Sequence, residues 1–219
     1  MTAENITAVL PKRKESSSGV LLSFCEYFLY FLNTLTKKHL RYAMKRSIGL
    51  WQFWGFAVTS LVGTLLHYLY DWTGGAVWAA PFSGVNESTW EHMKLLFWPL
   101  FVYAIFQSFF FRDRRDFWCV KQKGTILGLV LIPVIFYTYN GAIGTSPDWL
   151  NIAIFFFSAA SACLYETRLF NSGTAKCMFP KLAFSVLCLI AVLFAVFTFD
   201  TPELGIFKDP LTGTYGLNG

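Results

Sequence analysis

Residues 182–199 read LAFSVLCLIAVLFAVFTF, and none of these eighteen side chains carries a charge. A helix needs about 20 apolar residues to cross the hydrocarbon core of a bilayer, and fewer where neighbouring helices thin it. This stretch therefore predicts a transmembrane helix, so the rest of the chain has to be interpreted with a membrane in mind.

The composition of the whole chain is typical of a membrane protein. Of the 219 residues, 55% are hydrophobic and only 14% are charged, whereas a soluble domain carries about 25% charged residues. The aromatic share of 19% suits a lipid-facing surface with interfacial anchors. No stretch outside the apolar segments is long or mixed enough to fold alone, so we expect one membrane domain.

Four further apolar runs precede residues 182–199, and each is long enough to cross a bilayer, although the third is short. We predict an all-α fold, a polytopic membrane helix bundle, in which a cytoplasmic N-terminal segment (1–47) is followed by five spans and a tail (201–219). The predicted spans are residues 48–70, 89–111, 125–139, 149–165 and 182–199.

The basic residues are sorted to one side of these spans, which predicts the orientation. Sixteen of the eighteen precede the first span or lie between spans two and three or spans four and five. By the positive-inside rule, the N-terminus is cytoplasmic and the tail is extracytoplasmic. The sixteen are Lys12, Arg13, Lys14, Lys37, Lys38, Arg41, Lys45, Arg46, Arg112, Arg114, Arg115, Lys121, Lys123, Arg168, Lys176 and Lys181.

The same distribution bears on partners. The net charge of +5 is spread over short clusters between apolar runs, as topology determinants are, so it favours a lipid bilayer and not nucleic acid as the partner.

Glu166 and Arg168 follow the fourth predicted span, where we expect them to pair with each other. None of the five cysteines falls in a segment assigned outside the cell, so no disulfide framework is predicted.

Residues 20–35 are apolar for most of their length, but Glu26 interrupts them and basic clusters flank both ends. A sixth span would carry one of those clusters to the outside. An interfacial helix on the cytoplasmic surface avoids that cost, and the charge pattern favours it.

Polar side chains gather at the predicted outer ends of spans one and two. Ionisable residues at membrane depth cost roughly 2.5–3.5 kcal/mol each, so they are candidates for function. The set consists of His67, Asp71, Asn86, Glu87, Ser88, Trp90, Glu91, His92 and Lys94.

A short connection between the two spans makes their ends antiparallel neighbours, so the two histidines and several carboxylates can converge. Imidazole and carboxylate groups bind divalent metals such as zinc. One hypothesis is therefore a metal-dependent membrane hydrolase acting on an amide or ester of a lipid or envelope substrate. In it the metal ligands are His67, Asp71, Glu91 and His92, the catalytic groups are Glu87 (general base) and Lys94 (charge stabilisation), and the binding residues are Asn86, Ser88 and Trp90.

Two other interpretations stay open. The cluster could bind a ligand or ion without bond chemistry, and transport by such a site would need a homodimer or a partner subunit. It could also be structural, since Ser88 and Glu91 form a capping box, Glu91 and Lys94 are an i,i+3 pair and His67 can pair with Asp71. The capping box leaves Glu87 and His92 unexplained.

The tail is rich in turn residues and also contains apolar ones. It could fold back over the outer ends of the spans as a lid on the polar cluster, or it could be a disordered end.

Two motifs carry a resemblance. They are Asn86-Glu87-Ser88-x-Trp90-Glu91-His92-x-Lys94 and Phe207-x-Asp209-Pro210-x-x-Gly213-x-Tyr215-Gly216. Over residues 48 to 219 the chain resembles a family of uncharacterised bacterial multi-pass membrane proteins, a resemblance that implies no activity.

The chain is more faintly similar to ceramidase-type transmembrane hydrolases, which bind zinc through several histidines with Asp and Ser. It departs from them because only two histidines lie in the spans and no His-x-x-x-His pair occurs in a late one. This resemblance therefore implies that any metal would be bound by His67, His92 and carboxylates.

Overall fold

The structure is a computed structural model that describes residues 47–144, 147–173 and 177–218. The predicted helix at 20–35 and the basic clusters before residue 47 lie outside the described residues. From Ser47 onward the chain forms one compact unit.

The described chain is helical, which confirms the predicted class. No β-strand forms in the described ranges apart from one isolated antiparallel bridge between Lys208 and Tyr215. The helices are α1 (Ser47–Trp72), α2 (Thr89–Ser108), α3 (Phe117–Ile143), α4 (Asp148–Ser172) and α5 (Pro180–Phe199), followed by short 3-10 turns at Gly205–Phe207 and Gly216–Asn218.

Four of these helices, α1, α3, α4 and α5, are long and apolar enough to cross a membrane. The helix α2 is not among them, because Glu91, His92 and Lys94 in its first turns lower its hydropathy. It is instead well buried, since twelve of its twenty residues belong to the interior. This helix supplies much of the core, including Leu96 and Phe97, which are both completely buried.

The helices α1 and α5 both run antiparallel to α2. Tyr103 of α2 donates a hydrogen bond to the Trp51 carbonyl at the start of α1 (2.8 Å), while the rings of His67 and His92 lie 5.9 Å apart at the other end of the same pair. On α5, the ring of Phe194 contacts Trp90 near the start of α2. The bundle therefore has a tail end, with residues 73–88 and 201–218, and a basic end, with residues 109–116 and 177–179.

Two helices extend further into the predicted loops than the apolar runs indicated. The helix α3 begins at Phe117 and not at Thr125, and α4 continues to Ser172 and not only to Tyr165. The expected pairing of Glu166 with Arg168 was wrong, since Glu166 instead binds Lys121 of α3 at 2.5 Å, with both side chains buried. Each charge neutralises the other, so both helices can continue past them.

The cysteine prediction was also wrong, because Cys119 and Cys177 form a disulfide. It joins the first turn of α3 to the segment before α5, at the basic end. Cys163 and Cys188 are free thiols. The predicted orientation had placed Cys119 and Cys177 in the cytoplasm, where disulfides are rare.

Candidate ligand site at the tail end

Ser83 fixes the loop between α1 and α2 against the last turns of α1. Its hydroxyl donates a hydrogen bond to the Leu66 carbonyl and accepts one from the Tyr70 N–H (2.9 Å), two groups that would bond to each other in a regular helix. The Ser83 side chain is completely buried. Sequence reasoning missed this contact, because a serine in a loop gives no signal of its partner.

Only part of the predicted capping box forms at the start of α2. Ser88 Oγ accepts a hydrogen bond from the Glu91 N–H (3.4 Å), as a capping serine should. The Glu91 carboxylate does not return to the Ser88 N–H, which Asn86 Oδ1 binds instead (2.9 Å). Glu91 accepts from the Val85 N–H (3.1 Å), so it holds the loop as well as the helix.

Glu91 also forms a buried ion pair with Lys94. The Lys94 ammonium lies 2.5 Å from Glu91 Oε2, and the two side chains are 0% and 4% exposed. Lys94 further donates to the Ala80 carbonyl (2.8 Å) and to Thr198 Oγ1 (3.0 Å). An ammonium has three N–H groups, and all three face acceptors, so Lys94 joins loop, α2 and α5 and has no donor left for a substrate.

Glu87 lies between the two histidines. Its carboxylate oxygens are 3.5 Å from Nε2 of His67 and 3.6 Å from Nε2 of His92. The Nδ1 atom of His92 contacts the Ser88 carbonyl at 3.0 Å and must donate to it, which leaves Nε2 as the atom that exchanges a proton.

The four predicted metal ligands do not all meet. His67 and His92 come together, but the carboxylate between them is Glu87 and not Glu91, which binds Lys94. Asp71 is exposed and makes no ion pair with any described residue. In the described parts of the chain, no group of three or more His, Cys, Asp or Glu side chains is arranged to hold a metal ion.

The tail folds onto this end of the bundle. The Trp90 ring packs between Phe194 of α5 and Phe207 of the tail, with both centroid distances 4.6 Å. Asn86 Nδ2 donates to the Gly216 carbonyl (3.1 Å), and Asp209 Oδ1 accepts from the Leu211 N–H (2.7 Å). Asn86, Ser88 and Trp90, which were predicted to bind a ligand, thus hold the tail and the helix start.

A cleft of about 770 Å³ opens above the histidines, a volume in the range of small-molecule sites. Glu87 and the two histidines line one side of it, α3 contributes a second side, and the tail covers part of the rim. Its other lining residues include Tyr68, Tyr137, Asn140, Asn151, Ile152, Pro210 and Leu211.

An apolar pocket of about 190 Å³ between α1 and α4 adjoins this cleft. Both cavities are lined by His67, Tyr68, His92, Asn151 and Ile152. The residues that belong to the smaller pocket alone are Gly63, Thr64, Leu95, Phe155 and Phe156. The larger cleft is therefore the more polar of the two cavities, and the smaller pocket is the more apolar.

Asn151 is a site residue that sequence reasoning missed. It lines both cavities, and its Oδ1 atom is buried without a hydrogen-bond partner among the residues that the structure describes. A buried amide oxygen without a partner costs free energy, so a ligand that donates a hydrogen bond there would be stabilised. The available signal was an amide side chain inside the apolar run 149–165.

Residues 40–217 match a family of unknown function, DUF6512, and the chain belongs to that family. Comparisons with curated proteins and with solved structures found no match. The family assignment agrees with the predicted resemblance to uncharacterised proteins and describes no activity, so function has to be argued from the geometry of this chain.

Proposed function

We propose that this member of the family crosses a membrane five times and binds an amphipathic, lipid-like molecule in the tail-end cleft. The fifth crossing is α2. The position of α2 alongside α1 supports this. The two helices are in contact near one end through Trp51 and Tyr103 and near the other end through His67 and His92. A helix packed in this way against an apolar span of 26 residues lies at the same depth in the bilayer.

We further propose that the tail end is extracytoplasmic, on the strength of the sixteen basic residues assigned to the other side. The Cys119–Cys177 disulfide argues for the opposite orientation. We give the charge distribution more weight, because it sums many residues and the disulfide is one pair.

The orientation is tested with single cysteines in a variant that lacks the native ones. In intact cells, a membrane-impermeant maleimide should label Lys208→Cys in the tail and leave Lys123→Cys at the basic end unlabelled until the cells are lysed. The reverse pattern would contradict the proposed orientation and would agree with the disulfide.

The functional proposal rests on the position of the apolar pocket beside the more polar cleft, with five lining residues in common. A polar head group would lie against Glu87, His67 and His92, and an acyl chain would enter between α1 and α4 beside Phe155 and Phe156. Ligand sites that bury most of a molecule combine apolar walls with a few placed polar groups. The two adjoining cavities together combine these features.

The chemistry of the polar part favours an uncharged head group. Glu87, Tyr137, Asn140 and Asn151 offer both acceptors and donors, which suits hydroxyl or amide groups. An anionic head group would be repelled by the Glu87 carboxylate. A long-chain monoacylglycerol has the required combination of chain and hydroxyl groups, and it serves as the probe below.

Binding is measured with a photoreactive monoacylglycerol, using the full chain in phosphatidylcholine nanodiscs. We expect saturable labelling that unlabelled monoacylglycerol displaces, with affinity about tenfold weaker in Glu87→Leu because a hydrogen bond to a charged group is lost. Glu203→Leu is the matched control, since it removes an exposed carboxylate of the tail outside the cleft-lining set. Equal affinity of wild type and Glu87→Leu would contradict the head-group assignment.

Hydrolysis of such an ester is a second candidate, favoured by the orientation of His92. Glu87 would take a proton from water while the water oxygen attacks the ester carbonyl carbon. The bond from that carbon to the glycerol oxygen would then break, and His92 would give the leaving oxygen a proton.

The same nanodiscs distinguish these two candidates. Release of fatty acid by wild type that is lost in Glu87→Gln supports hydrolysis, and a preparation that binds the probe without release contradicts it.

A further inference from the structure

A second cavity, at the basic end of the bundle, has a different character. This groove has a volume of about 680 Å³ and lies between the segment that follows α2, the first turn of α3 and the first turns of α5. The lining residues that matter here are Phe109, Arg112, Arg115, Trp118, Lys181 and Phe184. No part of the proposed ligand site is involved.

Three of its cations are not neutralised. Arg114, which also lines the groove, is engaged by Asp116 through two hydrogen bonds (3.1 and 3.0 Å). By contrast, Arg112, Arg115 and Lys181 are exposed and form no ion pair within the described residues. The groove therefore presents three free positive charges around one concave surface, which fits a phosphate group.

The floor and rim of the same groove are aromatic. The Trp118 and Phe184 rings pack at 4.5 Å, and Phe109 is 58% exposed beside Arg112, whose guanidinium lies 5.7 Å from its ring centre. Aromatic side chains beside basic ones mark the interface between bilayer and water. A ligand with both an anionic group and acyl chains would use both parts of the groove, and a free anion would use only one.

Covalent and polar links hold the groove in shape. The Cys119–Cys177 disulfide joins the α3 wall to the segment that leads into the α5 wall. Arg114 also donates to the Phe170 carbonyl of α4 (3.0 Å), which anchors the segment after α2. Fixed walls lower the entropy cost of binding.

We infer that this groove binds the phosphate of an anionic phospholipid through Arg112, Arg115 and Lys181, with the acyl chains against Trp118 and Phe184. Basic pockets between transmembrane helices recognise anionic lipid head groups in this way. The site would select phosphatidylglycerol over phosphatidylcholine, because only the former has an uncompensated negative charge.

The test is native mass spectrometry of the full chain in detergent with equal amounts of dioleoyl phosphatidylglycerol and dioleoyl phosphatidylcholine. Wild type should retain phosphatidylglycerol preferentially. Arg112→Gln/Arg115→Gln/Lys181→Gln should lower that preference by about 100-fold, since each near-surface cation contributes a factor of about five. Lys123→Gln/Arg168→Gln, which removes two exposed cations of the same end outside the groove-lining set, should leave it unchanged.

Three results would overturn the inference. The groove variant could retain the wild-type preference, or the control variant could lose as much of it, which would show attraction to diffuse surface charge. Glycerol phosphate without acyl chains could also displace the lipid at equal concentration, which would make the groove a site for soluble phosphate esters. The Cys119→Ser/Cys177→Ser variant should bind phosphatidylglycerol more weakly than wild type, and unchanged binding would contradict the role given to the disulfide.

Discussion

Replacing Lys94 by methionine should lower the free energy of unfolding by about 3–5 kcal/mol, because the Glu91 carboxylate would remain buried without its cation. The Ala80 carbonyl and the Thr198 hydroxyl would lose their donor in the same step. Equilibrium unfolding in mixed micelles, followed by circular dichroism, measures the effect.

Removing the second charge should restore much of that loss. In Lys94→Met/Glu91→Leu neither charge of this pair is left, so we expect stability within about 2 kcal/mol of wild type. The remaining loss comes from the hydrogen bonds to Val85, Ala80 and Thr198. Lys123→Met is the matched control, since it removes an exposed lysine from α3 and should change stability by less than about 0.5 kcal/mol. A Lys94→Met variant as stable as this control would contradict the buried pair.

The second large effect is expected at Gly124 of α3. A Cβ atom at this position would overlap the Glu166 side chain, including its Cγ atom and carboxylate. Gly124→Ala should therefore displace Glu166 from Lys121, and the cost should be about 3 kcal/mol, from overpacking together with a weakened buried ion pair. The same unfolding measurement applies.

Two further variants give this prediction its specificity. Gly141→Ala lies on the same helix, where a Cβ atom would contact nothing within 4 Å, so it should be neutral or slightly stabilising. In a Lys121→Met/Glu166→Ala background, the Cβ atom that Gly124→Ala adds no longer overlaps a glutamate side chain. The cost of Gly124→Ala to the free energy of unfolding should then fall below about 1 kcal/mol. An undiminished cost in that background would show that Glu166 is not the neighbour that matters.

The sequence allowed the convergence of His67 and His92 to be predicted, because antiparallel helices with a short connection bring their ends together. It could not show which carboxylate would lie between them. Glu91 is within α2, where helical periodicity predicts the direction of its side chain. Lys94, one turn later, forms an ion pair with its carboxylate. Glu87 precedes the helix, and its backbone is positioned by Asp209 from the tail (3.5 Å), a contact 122 residues away that no local pattern reveals.

Helix bounds were predicted well where they depended on capping and poorly where they depended on charge. The start of α2 followed from Ser88. The start of α3 and the end of α4 did not, because Lys121 and Glu166 each look like the end of an apolar run when considered alone. The two charges neutralise each other only because α3 and α4 pack closely at Gly124. This tertiary contact cannot be predicted from either apolar run alone.

The measurement that tests the proposed function most directly is the location of the acyl chain. A monoacylglycerol with a diazirine near the end of its chain is photolysed in nanodiscs with the full chain, and the labelled residues are identified by peptide mass spectrometry. We predict competable labelling of α4 between Asn151 and Phe156, abolished by Ile152→Trp, which fills the pocket, and retained in Leu164→Trp on the same helix. Labelling that is spread over the exposed helix faces, resists competition and is unaffected by Ile152→Trp would contradict the proposed site.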